Sequence, residues 1–134
     1  MMGAPQVIDF TYNDRRHWFK VWRYSTEQDL YSALNADHIK YEKDTIAYTD
    51  CYMPILLENG KWSRDPDECG RMYLLDKTVD TLAHEATHMA LGIIARHGHN
   101  SIVATVDEEP ELSHDLCKLV GAITSQLYSQ SNAF

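Results

Sequence analysis

The sequence predicts an α+β domain. Strand-like alternation fills the first two dozen residues and recurs between Thr45 and Leu75. Helical apolar spacing governs the last third of the chain. The strands are not interleaved one by one with helices, as alternating βαβ units would require. The 134 residues fit one domain, 1–134. A chain of this size buries roughly two-thirds of its unfolded surface and holds a core without staples.

Each element follows from a local pattern. Gln6 to Tyr12 (QVIDFTY) alternates loosely and reads as a strand, as does Phe19 to Tyr24 (FKVWRY). Arg15-Arg16-His17 between them reads as a short basic, solvated turn. Ser25 opens a helix, with Gln28 as its capping-box partner, Leu30 and Leu34 as its apolar stripe and Asn35 as its stop. Thr45 to Leu57 (TIAYTDCYMPILL) is rich in strand formers, and Pro54 marks an edge or break. Asn59-Gly60 is a turn signal, Lys61 to Gly70 reads as a loop, and Arg71 to Leu75 as a short strand. Two helices close the chain. One runs from about Val79 to Arg96, capped by Asp76 or Thr78 and ended by Gly98. The other runs from about Pro110 to Tyr128, with Leu112, Leu116, Leu119, Ile123 and Leu127 on its apolar side.

Composition narrows the function classes. Hydrophobic residues are 44% and charged residues 24%, which is globular rather than disordered. A formal charge of -8 argues against a phosphate-tracking nucleic-acid binder, which normally shows a basic footprint. No apolar run approaches the roughly 18 residues of a membrane span. Met1 to Phe10 carries Asp9 and no basic region before an apolar stretch, so no secretory signal is expected. Cys51, Cys69 and Cys117 are isolated and odd in number, which fits buried thiols in a reducing cytoplasm.

Residues 84 to 88 read His-Glu-Ala-Thr-His, an HExxH. On a helix, positions i and i+4 share one face about 6 Å apart. Two imidazoles there can share a tetrahedral zinc, with Glu85 beside them to take a proton from the zinc-bound water. The segment is strongly helical and nearly uncharged: between Thr81 and Ala95 the only acidic or basic residue besides histidine is Glu85. Leu82, Ala86, Met89 and Ile93 form one stripe, and the opposite face carries His84, His88, Leu91 and Ala95. Such a helix is expected to be buried all round. Two histidines and a glutamate inside it then need partners, and a metal supplies one. The competing structural reading is a pair of core histidines bonded to backbone or through Glu85.

Asp80 to Ala90 (DTLAHEATHMA) resembles the active-site helix of the zincin superfamily of metallopeptidases. Arg71 to Leu75 resembles the edge strand along which zincins align an extended substrate. The chain length and the tail Leu119-Val120-Gly121-Ala122-Ile123-Thr124 are similar to small metallopeptidases encoded by phages and prophages. The resemblance implies a small zincin-like fold, a Zn2+ cofactor, a peptide or protein substrate, and metal ligation by His84 and His88 with Glu85 as general base. It leaves the third ligand open. Gly92 is one residue late and Ile94 stands where a metzincin carries histidine. His97 and His99 follow the helix closely. Glu108, Glu109 and Glu111 lie near the start of the last helix, and Glu111 with Asp115 forms the ExxxD of a gluzincin. His114 falls where the small phage proteins carry an acid. It shares a face with Cys117, Gly121 and Thr124, small residues that allow close approach to the active-site helix. His114 is therefore placed ahead of Glu111.

The remaining features have more ordinary readings. Trp18, Trp22, Trp62 and eight tyrosines fit core and rim packing better than a binding groove. Tyr73 on the expected edge strand is a weaker candidate for an oxyanion donor. The sequence thus points to a zinc-dependent metallopeptidase. The alternatives are another zinc amidohydrolase, or a zinc-stabilised interaction protein on a zincin scaffold. The intact Glu85 speaks against the last, since a structural zinc has no use for it.

Overall fold

The computed structural model describes residues 4–53, 55–97 and 110–131. Among them the chain forms β1 (Gln6–Tyr12), β2 (Arg15–Arg23), α1 (Glu27–Ala36), β3 (Ala47–Cys51), β4 (Glu68–Leu74), α2 (Val79–Arg96) and α3 (Pro110–Ser131). The α+β class holds, with a mixed four-stranded sheet in the order β1-β2-β4-β3. β1 and β2 are antiparallel, β2 and β4 parallel, and β3 antiparallel to β4.

β1 and β2 meet at a two-residue turn in which Asn13 and Asp14 both have positive φ, 50° and 61°. That is the twist a tight hairpin needs, and Asn and Asp tolerate it best after glycine. Arg15-Arg16-His17 is therefore the start of β2 and not a solvated turn; Tyr12 pairs with Arg15 directly across the turn. His17 points into the protein and is fully buried. α1 begins one residue later than its sequence suggests. Thr26 is the N-cap, accepting from the Asp29 N–H at 3.2 Å, where Ser25 and Gln28 were expected to act. His38 at φ 59° ends it in the left-handed conformation.

β4 lies inside the sheet, paired on both edges, and a separate core cluster covers each of its faces. Met72 and Leu74 face the main core with Phe19, Val21, Met89, Ile93 and Ile123. Tyr73 faces a second cluster under α1, with Tyr24, Leu30 and Leu34. This corrects the expectation that Arg71 to Leu75 is the edge strand. The crossover through α1 brings β2 alongside β4 in parallel, and β3 then takes the remaining side as the edge.

α2 keeps its expected bounds. Thr78 caps it, accepting from the Thr81 N–H, while Asp76 accepts from Thr78 and Thr81. Hydrogen bonds from Thr81 and then Thr78 hold the Asp76 carboxyl below its ordinary value. At the far end Arg96 donates to the carbonyls of Glu68, Pro66 and Tyr52, fixing α2 to the approach of β4. His97 is its C-cap; Gly98, the expected stop, lies outside the described residues. α2 is not buried all round. Leu82, Glu85, Ala86, Met89, Ala90, Ile93 and Ile94 are buried, but His84 and His88 are exposed. Their face lacks charge yet opens to solvent.

Two glycines mark where elements come unusually close. A Cβ on Gly92 of α2 would sit 2.5 Å from Cys51 Sγ and 2.8 Å from Cys51 Cβ on β3. A Cβ on Gly70 of β4 would meet the Asp50 carbonyl and the Met89 side chain. Gly92 therefore serves packing of the edge strand against α2. α3 packs through Leu119, Ile123 and Leu127. Of its small residues, Cys117 and Gly121 are exposed, with nothing within 4 Å of a Cβ built on Gly121, while the Thr124 hydroxyl is buried.

Candidate metal centre and its surroundings

The HExxH spacing does locally what helix geometry dictates. His84 and His88 stand one turn apart, with ring centroids 4.8 Å apart at 71°. Their Nε2 atoms converge to 3.1 Å. Two ligands at Zn–N distances near 2.0–2.1 Å subtend a tetrahedral edge of about 3.4 Å. The imidazole pair thus approximates the separation of two zinc ligands.

Glu85 lies between the pair and the sheet, with one carboxylate oxygen toward each. It is 5% exposed and sits at the base of a cleft of about 420 Å³ whose walls include Asp44, Thr45, Asp80, Thr81 and His84. Its Oε1 accepts a hydrogen bond from Thr49 Oγ1 at 2.8 Å, and its Oε2 lies 3.9 Å from His84 Nε2. A buried carboxylate needs such a donor, because leaving it unpaired costs far more than the bond gains.

β3 supplies that donor through strand alternation. Thr49 and Cys51 face α2: Thr49 bonds Glu85, and Cys51 Sγ lies 3.5 Å from the His88 carbonyl. Asp50 faces the other way and accepts from Arg71 at 3.0 Å. Burial against α2, and then Asp50, push the Cys51 thiol up to about 11, so it is no thiolate nucleophile near neutral pH. Among the described residues the outer edge of β3 pairs with no other strand, and Thr49 and Cys51 bring the strand against the HExxH turn.

The structure brings His84, Glu85 and His88 together but not His114. Among the described residues no third His, Cys, Asp or Glu joins His84 and His88 in a group that could hold a metal. His114 is exposed on α3. Val79 of α2 lines one pocket with Gly121, Thr124 and Tyr128 of α3. At 100° per residue, His84 and His88 lie about 140° and 180° round the α2 axis from Val79. The pair therefore lies on the opposite side of α2 from that pocket. Glu111 is in the first turn of α3, its side chain outside what is described; Glu108, Glu109 and His99 lie outside the described residues. Asp115, the second acid of the ExxxD, accepts from Tyr12 Oη at 2.9 Å. Burial, and then Asp115, raise the Tyr12 hydroxyl to about 12.

Two further expectations change. Tyr73 is buried on the opposite side of the sheet, donating to Asp37 and stacked on Trp22 and Tyr24, so it is no oxyanion donor for this cleft. His97 is paired with His17, Nε2 to Nε2 at 3.2 Å, beneath Phe10 and Tyr12. Sequence reasoning missed that second imidazole pair and the Thr49–Glu85 bond. For His17 the signal was present: Asn13-Asp14 is a two-residue turn, which puts His17 in a strand, on the same face as Phe19 and Val21. For Thr49 no pattern linked a β3 hydroxyl to a helix 36 residues on. Compared with protein-family models, curated proteins and solved structures, the chain shows no significant match.

Proposed function

We propose that the chain is a zinc-dependent hydrolase, most specifically a metallopeptidase on a zincin-like scaffold. One observation carries this reading. A buried, hydrogen-bonded glutamate lies at the base of an open cleft beside two imidazoles whose Nε2 atoms converge to 3.1 Å. The competing reading needs a pair of core histidines, and His84 and His88 are exposed.

His84 and His88 hold the metal, and their donor set suits zinc. When bound, zinc lowers the pKa of a water and polarises the scissile carbonyl. Glu85 takes a proton from the attacking water at Oε2, the oxygen Thr49 leaves free, and passes it to the departing amine. An extended peptide pairs with the free edge of β3, so its backbone lies alongside the cleft. A catalytic zinc carries three protein ligands. His114, and after it Glu111, are the residues proposed for the third position. For His114 this requires the first turns of α3 to come closer to His88 than they do here.

The test compares wild type with Glu85→Gln on a diverse peptide library at neutral pH and matched zinc occupancy. The variant should keep its zinc and lose roughly 10²–10⁴-fold in turnover. Equal turnover in the two proteins overturns the general-base role.

A further inference from the structure

Glu85 has two contacts that differ in kind. One follows from the helix: Oε2 is 3.9 Å from His84 Nε2. The other reaches across the fold, since Thr49 Oγ1 on the edge strand donates to Oε1 at 2.8 Å and lies 3.4 Å from the Glu85 backbone carbonyl. A threonine hydroxyl has one proton, and the shorter, charge-assisted contact takes it. Thr49 is held from behind by antiparallel pairing with Met72 of β4, whose side chain is fully buried. Two residue pairs along, Cys51 lies in the gap left by the missing Cβ of Gly92. The hydroxyl is thus mounted on a strand whose distance from α2 is fixed on the Cys51 side.

We infer that Thr49 is a positioning residue for Glu85: its hydroxyl holds Oε1 so that Oε2 alone faces the imidazole pair. This rests on the proposed role of Glu85. Without the bond, the carboxylate has two equivalent oxygens and free rotation about its last torsion, which is broad for glutamate. With it, one orientation is selected before substrate arrives. Because the hydroxyl sits on the strand that an extended substrate pairs with, the same strand sets the peptide backbone and the base relative to each other.

The experiment uses Thr49→Val, close in shape but without the donor, and Thr49→Ser, which keeps it. Crystal structures of both variants, metal-free and with zinc added, read the Glu85 orientation without any substrate. Turnover of a peptide found with the wild type is measured beside Glu85→Gln, with zinc affinity and melting temperature recorded for every protein. In Thr49→Val the Glu85 carboxylate should rotate off its Oε1 position. Its kcat should fall about 10- to 100-fold with KM and zinc affinity nearly unchanged, the range expected when a reacting group is misplaced. Thr49→Ser should restore both orientation and kcat. If Glu85 stays in place in Thr49→Val and kcat is kept while Glu85→Gln is inactive, Thr49 has no positioning role and the general base stands. If Glu85→Gln is as active as wild type, the base reading falls and the catalytic meaning of Thr49 falls with it. In that event the crystal structures still decide whether the hydroxyl orients the carboxylate.

Discussion

Gly92→Ala tests whether the edge strand is packed against the HExxH helix as tightly as the structure has it. In the interior of a helix, alanine is normally favoured over glycine by about 0.8–1.0 kcal/mol. At Gly92 the new Cβ would lie 2.5 Å from Cys51 Sγ and 2.8 Å from Cys51 Cβ. The sulfur can rotate away, but the Cβ is carried by the backbone of β3, so strand and helix must separate by several tenths of an ångström. Overpacking of this kind costs about 1–3 kcal/mol. The steric cost exceeds the helix gain over most of that range, for a net loss of about 0–2 kcal/mol. Gly121→Ala is the internal control. It is also helical, but nothing lies within 4 Å of its Cβ, so it should stabilise by about 0.8–1.0 kcal/mol. Urea unfolding of the three proteins measures the difference. The two variants should move the midpoint in opposite directions, and in Gly92→Ala the displaced strand should weaken the Thr49–Glu85 bond. If Gly92→Ala stabilises as much as Gly121→Ala does, β3 is not held where the structure has it, and the account of how the edge strand packs on α2 is refuted.

Acid should destabilise the protein through His17. Burial, and then Arg96, His97 and Arg15, lower its pKa from 6.5 to about 4. The folded pKa lies below the unfolded one, so the unfolded state binds more protons in between. The stability is fully present above about pH 6.5, is lost progressively toward pH 4, and levels off below. The difference is worth up to about 3 kcal/mol, and urea midpoints against pH should be flatter for His17→Gln than for wild type over that window. Purified protein should hold about one zinc per chain. Chelation should lower its melting temperature, since a ligand at a hundred times its Kd stabilises by about 2.7 kcal/mol; metal analysis of His84→Ala showing a full equivalent would sink the assignment. His114→Ala should weaken zinc affinity more than Glu111→Ala, and the reverse order in a competition titration would favour a gluzincin-like site.

The sequence by itself determined what short-range physics controls. Helical spacing fixed α2 at Val79–Arg96, and i, i+4 geometry alone brought His84 and His88 within 3.1 Å. Strand alternation gave Gln6–Tyr12 its bounds, and the α+β order followed from where strands and helices cluster. Whatever depends on which strand neighbours which was decided only by the tertiary structure. Both β3 and β4 read as strands; their pairing put β4 inside and β3 at the edge and brought Thr49 to Glu85, while packing of Met72 and Leu74 against α2 left Tyr73 on the opposite face, away from the cleft. The exposure of His84 and His88 was hidden for the same reason. An uncharged helix face reads as buried, but with α2 over the edge of the sheet and α3 on its other side, nothing among the described residues covers that face. A helix carries its ligands and base in local register, while the partners that orient them come from chain segments whose approach no local pattern encodes.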